Sequence, residues 1–325
     1  MRLHNKFFNF LTFIMALVPV AVLSVMAIFI LYYSTPCIRY EGLSFFTTYL
    51  WNPGFESKPP VSVNGVLVPA GSSFGLDLFL LGTLSTSLLA IVISFPISFL
   101  ISLNVESYLP ERARKFTVSM IELFAGIPSV VYGLWGILVL EPVLFRYIEP
   151  WMSKNLGFIP GFRGEIYSGA GLIASGIILS FMIIPIITSV IVNSFETVPK
   201  DVKEGVFSLG ATKWEVGRYL MTGYSRASTI GGTLLGLGRA LGETMAVLMV
   251  SGAIVNTLPT SIYSATNTMA AAIASLLDSA FFDPTGMNIA ALSELALVLM
   301  IISLAVNLLG RQIAGRGVLR GYEND

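Results

Sequence analysis

Six stretches of this chain, roughly residues 9–33, 77–103, 118–141, 168–194, 228–252 and 289–310, read as near-continuous apolar runs. A helix needs about 20 such residues to cross a hydrocarbon core of about 30 Å. The runs predict six transmembrane helices. Inside lipid every backbone N–H and C=O must find its partner within the segment, and helices satisfy this without an open edge. The expected fold class is therefore an all-α membrane protein. Composition agrees: 54% of residues are hydrophobic and 12% charged, against about 25% charged in soluble domains. The first run extends from Phe7 to about Tyr33 behind Arg2, His4 and Lys6. It exceeds the roughly 7–15 apolar residues of a cleavable signal peptide, and reads as a retained anchor.

The charges then orient the chain. Arg2 and Lys6, the Arg112, Arg114 and Lys115 group, the segment from Lys200 to Arg226, and Arg311, Arg316 and Arg320 fall on one side of the predicted spans. The other side carries only Arg39, Lys58, Arg146, Lys154 and Arg163, with no Lys or Arg between 253 and 288. Lys and Arg collect in cytoplasmic loops, so both termini are expected in the cytoplasm and the chain in the cell (inner) membrane. A formal net charge of zero argues against a nucleic-acid partner. Cys37 is a lone cysteine and His4 a lone histidine, which excludes an internal disulfide and a histidine-rich metal site. No G-x-x-x-x-G-K-[ST] phosphate loop and no nucleophile–base set is present. The chain is not expected to be an enzyme, and no cofactor is expected.

Between the spans, the first outer loop (34–76) contains Asn64-Gly65, the pair that suits a type I′ hairpin turn. The last outer loop holds NTMAAAIASLLDSA at 267–280, an alanine-rich helix too short to span, with Asn267 or Thr268 as its cap. Pro96, Pro128 and Pro185 lie inside apolar runs, where proline removes a helix hydrogen bond and kinks the rod. Ser85, Thr86 and Ser87 are read as helix–helix hydrogen bonders, and Glu122, Glu141 and Glu294 as interfacial.

The densest charge lies in the cytoplasmic segment 196–226, directly before the fifth run. Residues from about Val202 to Leu209 predict a short helix whose apolar face (Val202, Val206, Leu209) packs on a partner. Gly210 ends it in the left-handed conformation that glycine reaches most cheaply. A second helix follows, with Thr212 and Glu215 placed as a capping box. Glu204-Gly205-Val206, then Gly210, then Leu220 resemble the EAA loop of permease subunits in binding-protein-dependent ABC importers. Gly205 and Val206 stand where that loop has alanines, and Thr222-Gly223 where it has Leu-Pro. The resemblance implies that Glu204, Gly205, Val206, Leu209 and Gly210 couple the chain to a cytoplasmic ATPase.

The fifth run contains two deep charges, Arg239 and Glu243, each costing about 2.5–3.5 kcal/mol at the centre of a spanning helix. Intramembrane charges of this kind mark function. Four residues apart on one helix, they would share a face, where an arginine fork can grip phosphate oxygens and a glutamate can accept a bond from a phosphate hydroxyl. A self-neutralising pair is the alternative. Gly231, Gly232, Gly236, Gly238 and Gly242 surround them, and Gly232-x-x-x-Gly236 is a close-packing pattern.

Together with these features, FFTTYLWNPGF (45–55), AGIPSVVYGLWGI (125–137), LGATKWEV (209–216) and GLGRALGETMAV (236–247) resemble the PstC-like permeases of phosphate ABC importers. The resemblance covers the chain apart from about 56–75, and IPSVVYGLWG and the Met-Ala-Val after Gly-Glu-Thr favour the PstC over the PstA branch. It implies the type I importer (MetI-like) fold, a single domain over residues 1–325, and a substrate path through Arg239 and Glu243. The implied partners are a PstA-like permease, a PstB-like ATPase dimer, a PstS-like phosphate-binding protein, inorganic phosphate and membrane lipid. A sulfate or molybdate permease and a self-sufficient secondary transporter are the other readings.

Overall fold

The computed structural model describes residues 2–55, 58–223 and 225–322. Among the side chains outside the described residues are those of Arg2, His4, Lys6, Leu220, Thr222, Arg316 and Arg320. The helices are α1 (Arg2–Glu41), α2 (Asp77–Ser107), α3 (Glu111–Ala125), α4 (Ser129–Leu156), α5 (Leu172–Glu196), α6 (Lys200–Ser208), α7 (Lys213–Thr222), α8 (Arg226–Leu241), α9 (Met245–Val250), α10 (Met269–Ala280) and α11 (Met287–Tyr322). Among the described residues, five stretches are long and apolar enough to cross a membrane: Phe10–Phe46, Asp77–Ser107, Ser129–Leu156, Leu172–Glu196 and Met287–Ile313. The fifth predicted run is helical but broken into α8 and α9. The chain is a multi-pass membrane protein.

Two further expectations move. The third span begins at Ser129 rather than near 118, because Pro128 caps α4 with extended backbone (ψ 138°) and so starts a helix instead of kinking one. Residues 118–125 belong to α3, which is amphipathic rather than uniformly apolar. Glu122 is exposed on it. Pro96 and Pro185 do lie inside α2 and α5.

The chain divides into two compact units. The first combines Met1–Leu76 with Leu276–Val298. Here the segment between α1 and α2 folds into two small antiparallel pairs, β1 (Trp51–Asn52) with β4 (Ser73–Phe74) and β2 (Val61–Val63) with β3 (Val66–Val68). Asn64 (φ 52°) and Gly65 (φ 77°) form the two-residue turn between β2 and β3, both left-handed as a type I′ turn requires. The last turn of α1 fastens this ornament: Tyr40 Oη donates to Ser72 O at 2.6 Å and Glu41 accepts from Phe74 N at 2.7 Å. Trp51 packs edge-on against Phe74 beneath it, with ring centroids 5.1 Å apart. Glu294 is buried beside Cys37 rather than interfacial.

The second unit combines Asp77–Ser275 with Leu299–Asp325, and α5 is its axis. Ile178, Leu179, Ile183, Ile187, Ile191 and Phe195 of α5 are wholly buried. Small residues let neighbours close on that axis. A Cβ on Gly176 would sit 2.5 Å from Leu89 of α2, and Cβ atoms on Gly232 and Gly236 of α8 would sit 2.8 Å from Val190 and 2.9 Å from Ile187. These are sub-van-der-Waals distances, so Gly232 and Gly236 serve packing. Between α2 and α5 the hydrogen bonds come from Ser98 Oγ to Ile184 O (3.2 Å) and Ser102 Oγ to Thr188 O (3.3 Å). Ser85 and Thr86 instead return their hydroxyls to Leu81 O and Gly82 O of their own helix. The cap of α10 is Thr268, whose hydroxyl accepts from Ala271 N at 3.3 Å.

Candidate functional site

Two polar regions of the second unit carry the sequence-predicted residues. The first is the α6–α7 pair. Helix α6 ends at Ser208, and Gly210 follows at φ +83° with nothing within 4 Å of where its Cβ would be. Glycine is needed there for backbone conformation and not for space. Thr212 then caps α7: its hydroxyl accepts from Glu215 N at 3.3 Å, while the Glu215 carboxylate accepts from Thr212 N and Oγ1, each at 2.7 Å. Those bonds from the Thr212 backbone and hydroxyl hold the Glu215 carboxyl below its ordinary value. The reciprocal capping box is present as expected.

The faces of α6 differ from the expectation. Val202 and Val206 are half-buried and pack on this chain's own core cluster of Ile191, Phe195 and Val198, together with Val216 of α7. They do not face outward, because the stripe formed by positions 202 and 206 is the only apolar one α6 can offer to the bundle. Glu204, Gly205, Leu209 and Gly210 are exposed. Leu209 is 87% exposed, with Phe207 beside it at 43%, an apolar tip on an otherwise charged segment. Helix α7 is seated on α2: a Cβ on Gly217 would overlap Leu103, and Trp214 packs edge-on against Phe99 at 6.2 Å.

Residues unmarked by sequence pattern hold this region in place. Glu106, in the last turn of α2, is ion-paired with Arg114 of α3 and Lys203 of α6, and Arg114 also bonds Glu196 at the end of α5 at 2.8 Å. One clue was available: Glu106 is an acid at the end of an apolar run that leads into a cluster of arginines.

The second region surrounds Arg239. It lies in the last turn of α8, exposed, and the helix stops two residues later at Leu241. Gly242, Glu243 and Thr244 are not helical, and α9 begins at Met245. The expected continuous helix with Arg239 and Glu243 on one face is therefore not formed. Gly242 weakens the ladder, and Thr244 turns its hydroxyl to Gly242 O at 3.4 Å. Glu243 accepts from Ala246 N at 3.4 Å, at the start of α9. Among the described residues no ion pair joins Arg239 to Glu243. The guanidinium is close enough to Tyr132 of α4 to act on it electrostatically. A Cβ on Gly238 would meet the Asn307 amide of α11 at 2.8 Å.

A charged helix pair seated on a membrane bundle, beside a broken helix that carries Arg239 at its end, is the arrangement to set against known membrane permeases. Residues 98–316, which include both regions, match the family described as "Binding-protein-dependent transport system inner membrane component". "Phosphate transport system permease protein PstC 1" of Mycobacterium tuberculosis is 40% identical over 286 residues, covering 87% of this chain and 83% of its own. The PstC permeases of Xylella fastidiosa (strain 9a5c) and Haemophilus influenzae are 37% and 36% identical, covering 93% and 94% of this chain and 87% and 92% of theirs. The chain belongs to the binding-protein-dependent transport system inner membrane components and, within them, to the PstC permeases. A chain of the MetNI methionine ABC transporter, solved in inward-facing conformations, shares the fold with a TM-score of 0.50 at 15% identity, covering 73% of this chain and 93% of that one. The fold is thus that of an ABC-importer permease subunit.

Proposed function

We infer that this chain is the transmembrane permease subunit of an ATP-driven importer of inorganic phosphate. Its kinship with phosphate transport permeases gives the substrate class, and one observation carries the site: Arg239 is exposed at the break between α8 and α9, without an ion-pair partner at Glu243. A charge placed in an apolar span is costly unless something external compensates it. An anion passing along that face would do so, held by a planar fork that matches phosphate oxygens. Glu243, engaged with the start of α9, leaves the guanidinium free for the anion. Its remaining lone pairs can accept a hydrogen bond from a phosphate hydroxyl, which sulfate lacks at neutral pH. Transport requires that this binding be strong enough to enter and weak enough to leave.

The chain acts as one permease domain, with both termini in the cytoplasm as the Lys and Arg asymmetry directs. It pairs with a PstA-like permease so that the α8–α9 segments face each other across the path. Hydrolysis of ATP takes place on a PstB-like dimer, which docks on Glu204, Gly205, Leu209 and Gly210, while Val206 seats α6 from behind. A PstS-like protein delivers phosphate to the outer loops.

The test is uptake of radiolabelled phosphate by proteoliposomes holding the complete complex, comparing native chain with Arg239→Gln at matched membrane levels. Loss of uptake with assembly intact is expected. Unchanged uptake would remove Arg239 from the path and leave the substrate resting on kinship alone.

A further inference from the structure

Helix α6 touches the membrane bundle through two unlike contacts. Val202 and Val206 make an apolar contact with the core cluster. Apolar attraction is non-directional, so that contact permits α6 to slide or roll. The other contact is Lys203 on Glu106, and it is directional. The Glu106 side chain is only 7% exposed, against 21% for Lys203 and 22% for Arg114. Through Arg114 the same carboxylate is tied to Glu196, so the ends of α2 and α5 and the starts of α3 and α6 are linked around one buried group.

We propose that Glu106 is a positioning residue for energy coupling: it converts α6 from a helix resting on the bundle into one geared to it, so that displacement of α6 by an ATPase is delivered to α2 and α5. The proposal rests on the reading of α6 as the ATPase dock. The charges support it. Glu106 meets two cations, and Arg114 shares its second bond with Glu196, so the set of four is neutral and closed. Removing Glu106 would leave α6 with its apolar contact alone, while Arg114 keeps α3 tied to Glu196. A group that merely neutralised local charge would, once replaced, lower stability without changing how much substrate moves for each ATP consumed.

The experiment uses the complete transporter in proteoliposomes with its phosphate-binding protein. It measures phosphate moved per ATP hydrolysed, together with the amount of ATPase retained on the purified complex. For Glu106→Gln and Lys203→Gln the ATPase stays bound and phosphate moved per ATP falls by about five-fold or more. The double variant is no worse than Glu106→Gln alone, and Lys203→Arg keeps most of the native ratio. An unchanged ratio in an assembled Glu106→Gln complex overturns the proposal. Where Glu106→Gln fails to assemble, Lys203→Gln decides by the same ratio, since it removes the more exposed member of the Lys203–Glu106 pair and leaves Glu106 paired with Arg114. Leu209→Asp separates this proposal from the docking reading. If the ATPase still copurifies and transport persists, the dock is elsewhere and the coupling role of Glu106 falls with it. If Leu209→Asp strips the ATPase while the Glu106→Gln ratio is native, only the coupling role is wrong.

Discussion

The second unit handles charge in two opposite ways. At the foot of α2 the acids and bases find one another: Glu106, Arg114, Glu196 and Lys203 form a closed set, although up to 97 residues separate them in sequence. At the end of α8 two charges only four positions apart do not pair, because the helix that would have aligned them stops at Leu241. The difference teaches that proximity in sequence is a weak guide to pairing where backbone geometry intervenes. It also separates roles. A closed set holds elements together, and an open charge in an apolar setting is available to something outside the chain.

The largest expected effect would break this contrast outright. Arg239→Gln should cut phosphate uptake by roughly 100-fold, as truncating one side of a hydrogen-bonded charge pair does, while thermal unfolding of the purified complex stays at its native midpoint. A lowered midpoint would place Arg239 among the structural charges. Next comes packing beside it. Gly236→Leu drives a side chain toward Ile187 and should destabilise the α8–α5 contact by about 1–3 kcal/mol, read as an earlier thermal transition. A native transition would show that α8 can retreat from α5.

Smaller effects sharpen the contrast at the α6–α7 end. Thr212→Ala removes the hydroxyl from the capping box and should weaken α7 by about 1 kcal/mol, seen as faster amide exchange in its first turn. The smallest effect concerns acid. Glu215 is held below its ordinary carboxyl value of 4.5 by bonds from Thr212. A depressed value means the ionised form stabilises the fold, and this contribution is complete above 4.5 and lost as pH falls through the lower folded value. Amide protection at the start of α7 should therefore hold down to about pH 4.5 and fade below it. In Thr212→Ala the fade should begin at higher pH, and an identical profile would deny the coupling between the two residues.

Much of this was legible in sequence because the signals were local. Apolar runs marked the membrane helices, Asn64-Gly65 marked a hairpin, and Gly210 followed by Thr212 and Glu215 marked a helix end and a helix start. Each depends on residues a few positions apart. The start of α4 was misplaced because hydropathy cannot see that Pro128 begins a helix inside an apolar stretch. The break after Leu241 escaped because one glycine among many gives no sign that the ladder fails there. Val202 and Val206 were read as packing on a partner because amphipathicity shows which side of a helix is apolar, not what covers it. Glu106 was missed for the opposite reason. Its partners come from two other helices, α3 and α6, and only the folded chain brings them together.

The break at Gly242–Thr244 carries one further consequence. Where an α-helix stops, amides and carbonyls lose their partners along the ladder, and lipid offers none. Such a point inside an apolar run must be hydrated or covered by protein, so this segment cannot behave as an inert greasy rod. It is a joint set into a dry slab, where the backbone offers an anion polar groups that the rest of the apolar run lacks.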